Sequence, residues 1–183
     1  YFADGPCSGK CPGRYANRIA KGHFVLDGNE YSLPINNACN HLHGGPEGFQ
    51  NQVWDSRIEG DAVEFLYFSE DGEAGYPGNL KAVAPYEWSE ENELTLTFTA
   101  EADAPTVVNL TNHAYFNLHG EGSGTVLNHV LKLNASEYLP TDDTLIPVGA
   151  SEPVAGTPMD FVSGKTLGAE IKADFPALKY GKG

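Results

Sequence analysis

The sequence predicts an all-β protein, a large antiparallel β-sandwich. About nine or ten short runs rich in β-branched and aromatic residues are separated by turns every 8–12 residues. Twenty-one glycines and 12 prolines among 183 residues fit many strands joined by turns. Helical periodicity is almost absent, which argues against the alternating strands and helices of a parallel sheet. No linker or repeat divides the chain, so residues 1–183 are predicted to be part of a single domain.

The first third of the chain predicts a hairpin between two irregular segments. Residues 1–13 are rich in Gly, Pro and Cys and are expected to form a loop. In residues 23–33, two short strands flank an Asp-Gly-Asn turn, which is a strong hairpin signal. Residues 36–45 are irregular and end in Gly44 and Gly45, which allow the backbone to turn sharply or to approach a ligand closely.

The middle and the end of the chain predict further strands and one helix. Residues 94–99 alternate perfectly between apolar and polar side chains, as in a half-buried strand. A helix is expected only over 164–173, where Leu167 and Ile171 would face inward. The remaining strands are predicted over 52–58, 62–69, 79–88, 93–100, 107–118 and 127–133.

The run 107–118 begins as an apolar strand and becomes a dense series of hydrogen-bonding side chains. In strand geometry its side chains alternate between two faces. One face would carry Thr, His and Tyr, which suit a pocket for polyhydroxylated ligands, and we therefore expect His113 to be a proton-transfer residue at a sugar site. The two predicted faces are Asn109, Thr111, His113 and Tyr115 on one side, and Leu110, Asn112, Ala114 and Phe116 on the other.

The charge of the chain limits its partners. The formal net charge of −14 argues against nucleic acid and anionic membranes and favours a neutral small molecule. No stretch approaches the roughly 18 apolar residues of a membrane span. No signal peptide is recognisable, and a cytoplasmic location is expected. Because the sequence starts at Tyr1 without an initiator Met, a lost N-terminal signal stays open.

Several classes of site are absent from the sequence. It has no phosphate-binding Gly-rich loop, no dinucleotide fingerprint, no Gly-x-Ser-x-Gly and no His-Glu-x-x-His. The odd count of three cysteines is not typical of a disulfide framework, and their spacing with His41 is not that of a zinc site. A zinc site made of His41, His43 and His113 is a further, disfavoured alternative. The cysteines are Cys7, Cys11 and Cys39.

Two His-centred loops and one amide–guanidinium pair remain as candidate functional groups. The loops are 40–45, with His41 and His43, and 111–117, with His113. Asn17 and Arg18 are donors suited to hydroxyl groups, although an exposed turn explains them equally well. Together these groups suit acid/base chemistry on a sugar without a cofactor.

These motifs resemble those of the aldose 1-epimerases, also called galactose mutarotases. The resemblance covers nearly the whole chain, with the motifs in the family's order. It implies a galactose mutarotase-like supersandwich, here truncated at both ends. The matching segments are 13–19, 40–45 with Gly48, Phe49 and Trp54, 109–118, 138–142, 145–147 and 156–161.

The resemblance implies interconversion of the α and β anomers of aldohexoses such as galactose and glucose, without a cofactor or metal. It implies that His113 is the acid at the ring oxygen and that His43 binds or polarises the same region. It assigns Asn17 and Arg18 to the sugar hydroxyls. Tyr115, on the predicted His113 face, is a further candidate for substrate binding. His41 is not assigned, because the family pattern varies there.

The sequence also departs from the family. The resemblance places the base at a Glu well downstream and a substrate-binding Asp in a Gly-aromatic-Asp-His-like motif. Neither is present, and Glu152 and Glu170 have the wrong context. We therefore interpret the chain as an internal fragment that is inactive or nearly so by itself, and expect a monomer. The alternative is a non-catalytic carbohydrate-binding β-sandwich.

Overall fold

The computed structural model describes residues 9–181 and is built almost entirely of strands and turns. This confirms the all-β prediction. Short 3-10 turns lie at Ala20–Gly22, Phe49–Asn51 and Glu73–Gly75. Within the described residues, no helix is both long and apolar enough to cross a bilayer. The strands are β1 Arg18–Ile19, β2 His23–Leu26, β3 Asn29–Ser32, β4 His41–Leu42, β5 Asp55–Glu59, β6 Ala62–Ser69, β7 Leu80–Trp88, β8 Leu94–Leu96, β9 Thr99–Ala102, β10 Val130–Leu131, β11 Glu137–Tyr138, β12 Glu152–Pro153 and β13 Lys165–Thr166, followed by helix α1 Pro176–Gly181.

The chain divides into two compact units, Tyr1–Ala114 and Tyr115–Gly183. The first contains β1 to β9, and the second contains β10 to β13 and α1. The single domain predicted for residues 1–183 stays a prediction.

A five-stranded antiparallel sheet dominates the first unit. Its order is β5-β6-β7-β8, and β9 also pairs with β7. β6 pairs along its whole length with β7, from Ala62 opposite Glu87 to Ser69 opposite Leu80. The predicted hairpin is confirmed as β2 and β3, whose turn residues Asp27 and Gly28 both have positive φ, as a two-residue turn requires.

The core lies on one face of this sheet. Leu80 and Ala82 alternate along β7 and are completely buried, and they form a cluster with Phe49. Phe49 is fixed from the outside, because the indole Nε1 of Trp54 donates to its carbonyl over 2.9 Å. The ring centroid of Phe49 lies 5.0 Å from that of Tyr67. Leu110 packs against the same cluster.

The strand predicted over 107–118 is wrong as a regular element. Within the described residues its only strand-like pairing is one isolated parallel bridge, Tyr15 to Asn109. The reason is the irregular partner segment. Asn109 N–H donates to the Arg14 carbonyl over 3.0 Å, and His113 N–H donates to the Lys10 carbonyl over 2.9 Å. The predicted alternation of faces nevertheless persists at Leu110, which packs into the core, and at His113, which points to another histidine.

The strand predicted over 93–100 is split into β8 and β9, which both pair with β7. Between them Thr97 N–H donates to the carbonyl of Pro85 over 3.3 Å. Pro85 has no N–H to return, so the ladder is interrupted at that point.

The helix predicted over 164–173 is also wrong. Its N–H groups bond to a neighbouring segment: Leu167 donates to His129 over 3.0 Å, and Gly168 donates to Leu127 over 2.8 Å. β13 accordingly pairs with β10, and the helix forms later, at Pro176–Gly181.

Candidate functional site

Pairing of β1 with β4 brings Asn17 and His43 together. These residues lie just outside the Arg18–Leu42 pair. The Asn17 N–H donates to His43 Nδ1 over 2.9 Å, and the His43 N–H donates to the Asn17 carbonyl over 2.9 Å. Because Nδ1 accepts a hydrogen bond, the neutral His43 ring carries its proton on Nε2. The Nε2–H of His43 can therefore donate a hydrogen bond.

The two predicted histidines meet in this site. The ring centroids of His43 and His113 are 5.3 Å apart, and the rings cross edge to face at 85°. Burial lowers the pKa of His43, and the charges of His113 and Arg18 lower it further. His43 is consequently neutral near pH 7.

Arg18 is oriented by two amide side chains. Its Nε donates to Asn37 Oδ1 over 3.0 Å, and its Nη1 donates to Asn17 Oδ1 over 3.1 Å. In the described part of the chain no Asp or Glu forms an ion pair with it. Burial lowers the pKa of Arg18, but an arginine stays charged. The site thus holds an oriented cation without a carboxylate partner.

His41, two residues before His43, is completely buried and has a different role. Its Nδ1 lies 2.7 Å from the Pro34 carbonyl, and its Nε2 lies 2.7 Å from the Tyr76 hydroxyl. With both ring nitrogens engaged, His41 supports the loop that carries His43. It is not placed to bind zinc together with His43 and His113.

Arg14 anchors the segment before Asn17, and sequence reasoning missed it. It is 1% exposed, and its Nη1 donates to the carbonyls of Pro77 and Gly78 over 2.8 Å each. Its Nη2 donates to Ser69 Oγ over 2.5 Å, and that hydroxyl in turn donates to Glu73. The sequence feature that could have identified Arg14 is its position in the Gly-Arg-Tyr-Ala-Asn-Arg motif, close to a second arginine.

Two glycines allow the Arg14 segment and the His43 loop to touch. A Cβ on Gly44, whose φ is +76°, would lie 1.7 Å from the Gly13 carbonyl oxygen. No side chain fits there. At Gly44 the close approach is to the chain's own backbone, and an approach of this glycine pair to a ligand stays a prediction.

Tyr115 and the three cysteines are the other residues considered from the sequence. Tyr115 begins the second unit and is 68% exposed, and its role stays a prediction. Cys7 lies outside the described residues, Cys39 is exposed, and Cys11 Sγ lies 3.0 Å from the Tyr86 hydroxyl. Among residues 9–181 no group of three or more His, Cys, Asp or Glu side chains is placed to hold a metal ion.

Comparison with known proteins identifies the family of the chain. A family model described as Aldose 1-epimerase matches residues 1–181. The galactose mutarotase of Sus scrofa is 46% identical over 172 residues, which are 94% of this chain and 50% of that protein. The aldose 1-epimerase of Escherichia coli (strain K12) is 45% identical over 163 residues, 88% of this chain and 47% of that protein. The chain thus spans about half the length of the curated relatives it matches.

Solved structures share the fold. The galactose 1-epimerase from Lactobacillus acidophilus NCFM superposes with a TM-score of 0.90 at 34% identity, over 100% of this chain and 55% of that one. The GalM/aldose epimerase homologue from C. elegans gives a TM-score of 0.86 at 36% identity, over 94% of this chain and 54% of that one. The mutarotase-like fold predicted from the sequence is confirmed.

Proposed function

The chain belongs to the aldose 1-epimerase family, and we propose that it provides the acid side of a site that interconverts the α and β anomers of aldohexoses such as galactose and glucose. The observation that carries this proposal is the contact of His43 with His113, beside the oriented guanidinium of Arg18. The relatives bear the names of enzymes, and nothing favours the non-catalytic alternative.

Mutarotation needs two proton transfers. A base removes the proton of the C1 hydroxyl, an acid protonates the ring oxygen, and the bond between C1 and that oxygen opens. Rotation about C1–C2 and reclosure on the other face complete the reaction, with the two roles reversed. We assign the acid to His113, as the family resemblance implies. A positioned acid of this kind typically contributes ~10²–10⁴-fold.

His43 has a complementary role in this proposal. Because the Asn17 N–H occupies its Nδ1, its Nε2–H is left to donate to the oxygen region of the sugar. The amide of Asn17 and the remaining N–H groups of Arg18 donate to sugar hydroxyls. Tyr115 is a further candidate contact.

The base is expected elsewhere. The resemblance assigns the base to a glutamate and one sugar contact to an aspartate. Neither residue is found in the expected motifs among these 183 residues. We therefore expect the 183 residues alone to turn over sugar slowly or not at all. A protein expressed from the complete reading frame is the appropriate sample for kinetics.

Polarimetry with freshly dissolved α-D-glucose tests the proposal. The protein from the complete reading frame should accelerate the approach to the equilibrium rotation, and His113→Ala in that protein should reduce the rate at least ~100-fold. His23→Ala, which removes a half-exposed histidine of β2, is the matched control and should leave the rate unchanged. No acceleration over buffer would contradict the enzymatic function, and an unaltered rate in His113→Ala would contradict its role as the acid.

A cytoplasmic location belongs to the same proposal. It is supported by the free thiols of Cys11 and Cys39, which suit a reducing compartment. The monomeric state remains a prediction that sedimentation would decide.

A further inference from the structure

Three asparagines in the loop before His43 use their side chains differently. Asn36 holds Leu42 through two bonds: its Oδ1 accepts the Leu42 N–H over 2.7 Å, and its Nδ2 donates to the Leu42 carbonyl over 3.0 Å. Asn40 Oδ1 accepts the N–H of Lys21 over 3.0 Å. The side chains of both asparagines thus form hydrogen bonds with backbone groups. Asn37 instead holds a side chain, the Nε of Arg18.

The backbone of Asn37 is fixed independently of its side chain. Its N–H donates to the Asn40 carbonyl over 3.1 Å, and the Asn40 N–H donates to the Asn37 carbonyl over 2.9 Å. The half-buried amide therefore projects from a closed turn. The loop does not need the side chain of Asn37 for its own hydrogen bonds, so removing it should leave the turn in place.

The bond to Asn37 fixes the plane of the guanidinium. A guanidinium has five N–H groups in one plane. One on Nε is taken by Asn37 and one on Nη1 by Asn17. The other three keep a defined direction only while both bonds hold, because a single bond to Nη1 would leave the long side chain free to swing.

We propose that Asn37 is a positioning residue for Arg18, which fixes the guanidinium plane so that its remaining N–H groups meet the hydroxyls of an aldohexose. The identity of the ligand rests on the proposed function, whereas the contact between Asn37 and Arg18 does not. Asn37 acts through Arg18 and touches no reacting atom.

Nuclear magnetic resonance tests the contact directly. In ¹⁵N-arginine-labelled protein the Nε–H signal of Arg18 is identified by its loss in Arg18→Lys. We expect slow solvent exchange of this N–H in the wild type and in Asn37→Asp, which keeps an acceptor oxygen. Exchange should be at least ~10-fold faster in Asn37→Ala, where the acceptor is missing. Equal exchange in the wild type and Asn37→Ala would overturn the inference.

Kinetics on the protein from the complete reading frame tests the consequence. With α-D-galactose, Asn37→Ala should raise KM ~10-fold and change kcat less than ~3-fold, since binding geometry is lost and the proton-transfer groups stay. Asn37→Asp should bring KM back to within ~3-fold of the wild type. Asn37→Ser, which is too short to reach Nε, should behave like Asn37→Ala and replaces it if that variant fails to fold.

The proposed function and the positioning role of Asn37 are contradicted by different results. A wild-type protein without mutarotase activity or galactose binding contradicts the proposed function, and the Nε–H exchange still decides the contact. An active wild type whose KM is unchanged in both Asn37→Ala and Asn37→Ser contradicts the positioning role alone.

Discussion

His41 and His43 show how two similar residues in one loop acquire different chemistry. The His41 ring is enclosed, with the Pro34 carbonyl on one nitrogen and the Tyr76 hydroxyl on the other. The His43 ring has the Asn17 N–H on Nδ1 and its edge against His113. The sequence places them two positions apart, but β4 ends at Leu42 and His43 has a positive φ, so strand alternation does not extend to His43. Hydrogen bonding decides which of the two can act on a ligand.

The environment of His43 predicts a low pKa. Burial, the charge of His113 and the charge of Arg18 all disfavour its protonated form. An NMR titration should therefore give a midpoint below the ordinary value of ~6.5. In unfolded chains His43 takes up a proton as the pH falls through ~6.5, whereas folded chains do so only at lower pH. Stability is thus lost on acidification across that window.

The variant His113→Gln separates these causes. It removes one positive charge near His43 and keeps a polar side chain, so the midpoint of His43 should rise towards ~6.5. His23→Gln, at an exposed position of β2 whose charge does not contribute to the pKa of His43, is the control and should leave the midpoint unchanged. A His43 midpoint above ~6.5 in the wild type, or one unmoved by His113→Gln, would contradict this account.

At the scale of elements, long alternating runs were predictable and irregular partners were not. β6 has the predicted bounds, and β7 begins one residue later than predicted. Residues 107–118 have a strand-like pattern, but their partner is the irregular segment around Lys10–Arg14, and only one bridge forms there among residues 9–181. In 93–100 the break is caused by Pro85, which lies on the neighbouring strand. The residue pattern of one strand shows neither the irregular partner of 107–118 nor the proline opposite 93–100.

The site was predictable to a similar extent. Asn17, Arg18, His43 and His113 were chosen from the sequence, and the fold brings all four together in the first unit. Asn37 was not chosen, since its contact with Arg18 depends on the closed turn between Asn37 and Asn40 and on the pairing of β1 with β4.

The contact between Gly13 and Gly44 should control the stability of the site loops. Gly44→Ala places a methyl group against the Gly13 carbonyl and strains a φ of +76°, and should cost about 3 kcal/mol. Gly60→Ala, in the turn between β5 and β6, has a similar φ of +60° and no atom within 4 Å. It should cost about 1 kcal/mol, the price of the conformation alone. Urea unfolding measures both, and equal losses would contradict a steric role for Gly44.

Over the whole molecule, burial is uneven. Most of the large, fully buried side chains lie in the first unit, including Arg14, His41, Tyr76 and Leu80. In the described part of the second unit, residues 115–181, Val154 is the single buried residue. Since opening free energy follows buried apolar contacts, the two units should differ in local stability. The histidine pair and Arg18 lie on the better buried side of this division.

Hydrogen exchange on the 183-residue chain tests this difference in local stability between the two units. We expect the slowest amides in β6 and β7, whose ladder is buried at Leu80 and Ala82, and exchange at least ~100-fold faster through most of 115–181. Amides that hold the site, such as those of Asn17 and His43, should resemble β6 and β7, because their bonds lie within the first unit. If 115–181 proved as protected as β7, burial within the unit would not explain its stability. If the amides of Asn17 and His43 exchanged as fast as that region, the site could not be preorganised, and the roles given to Asn17 and Asn37 would fail together.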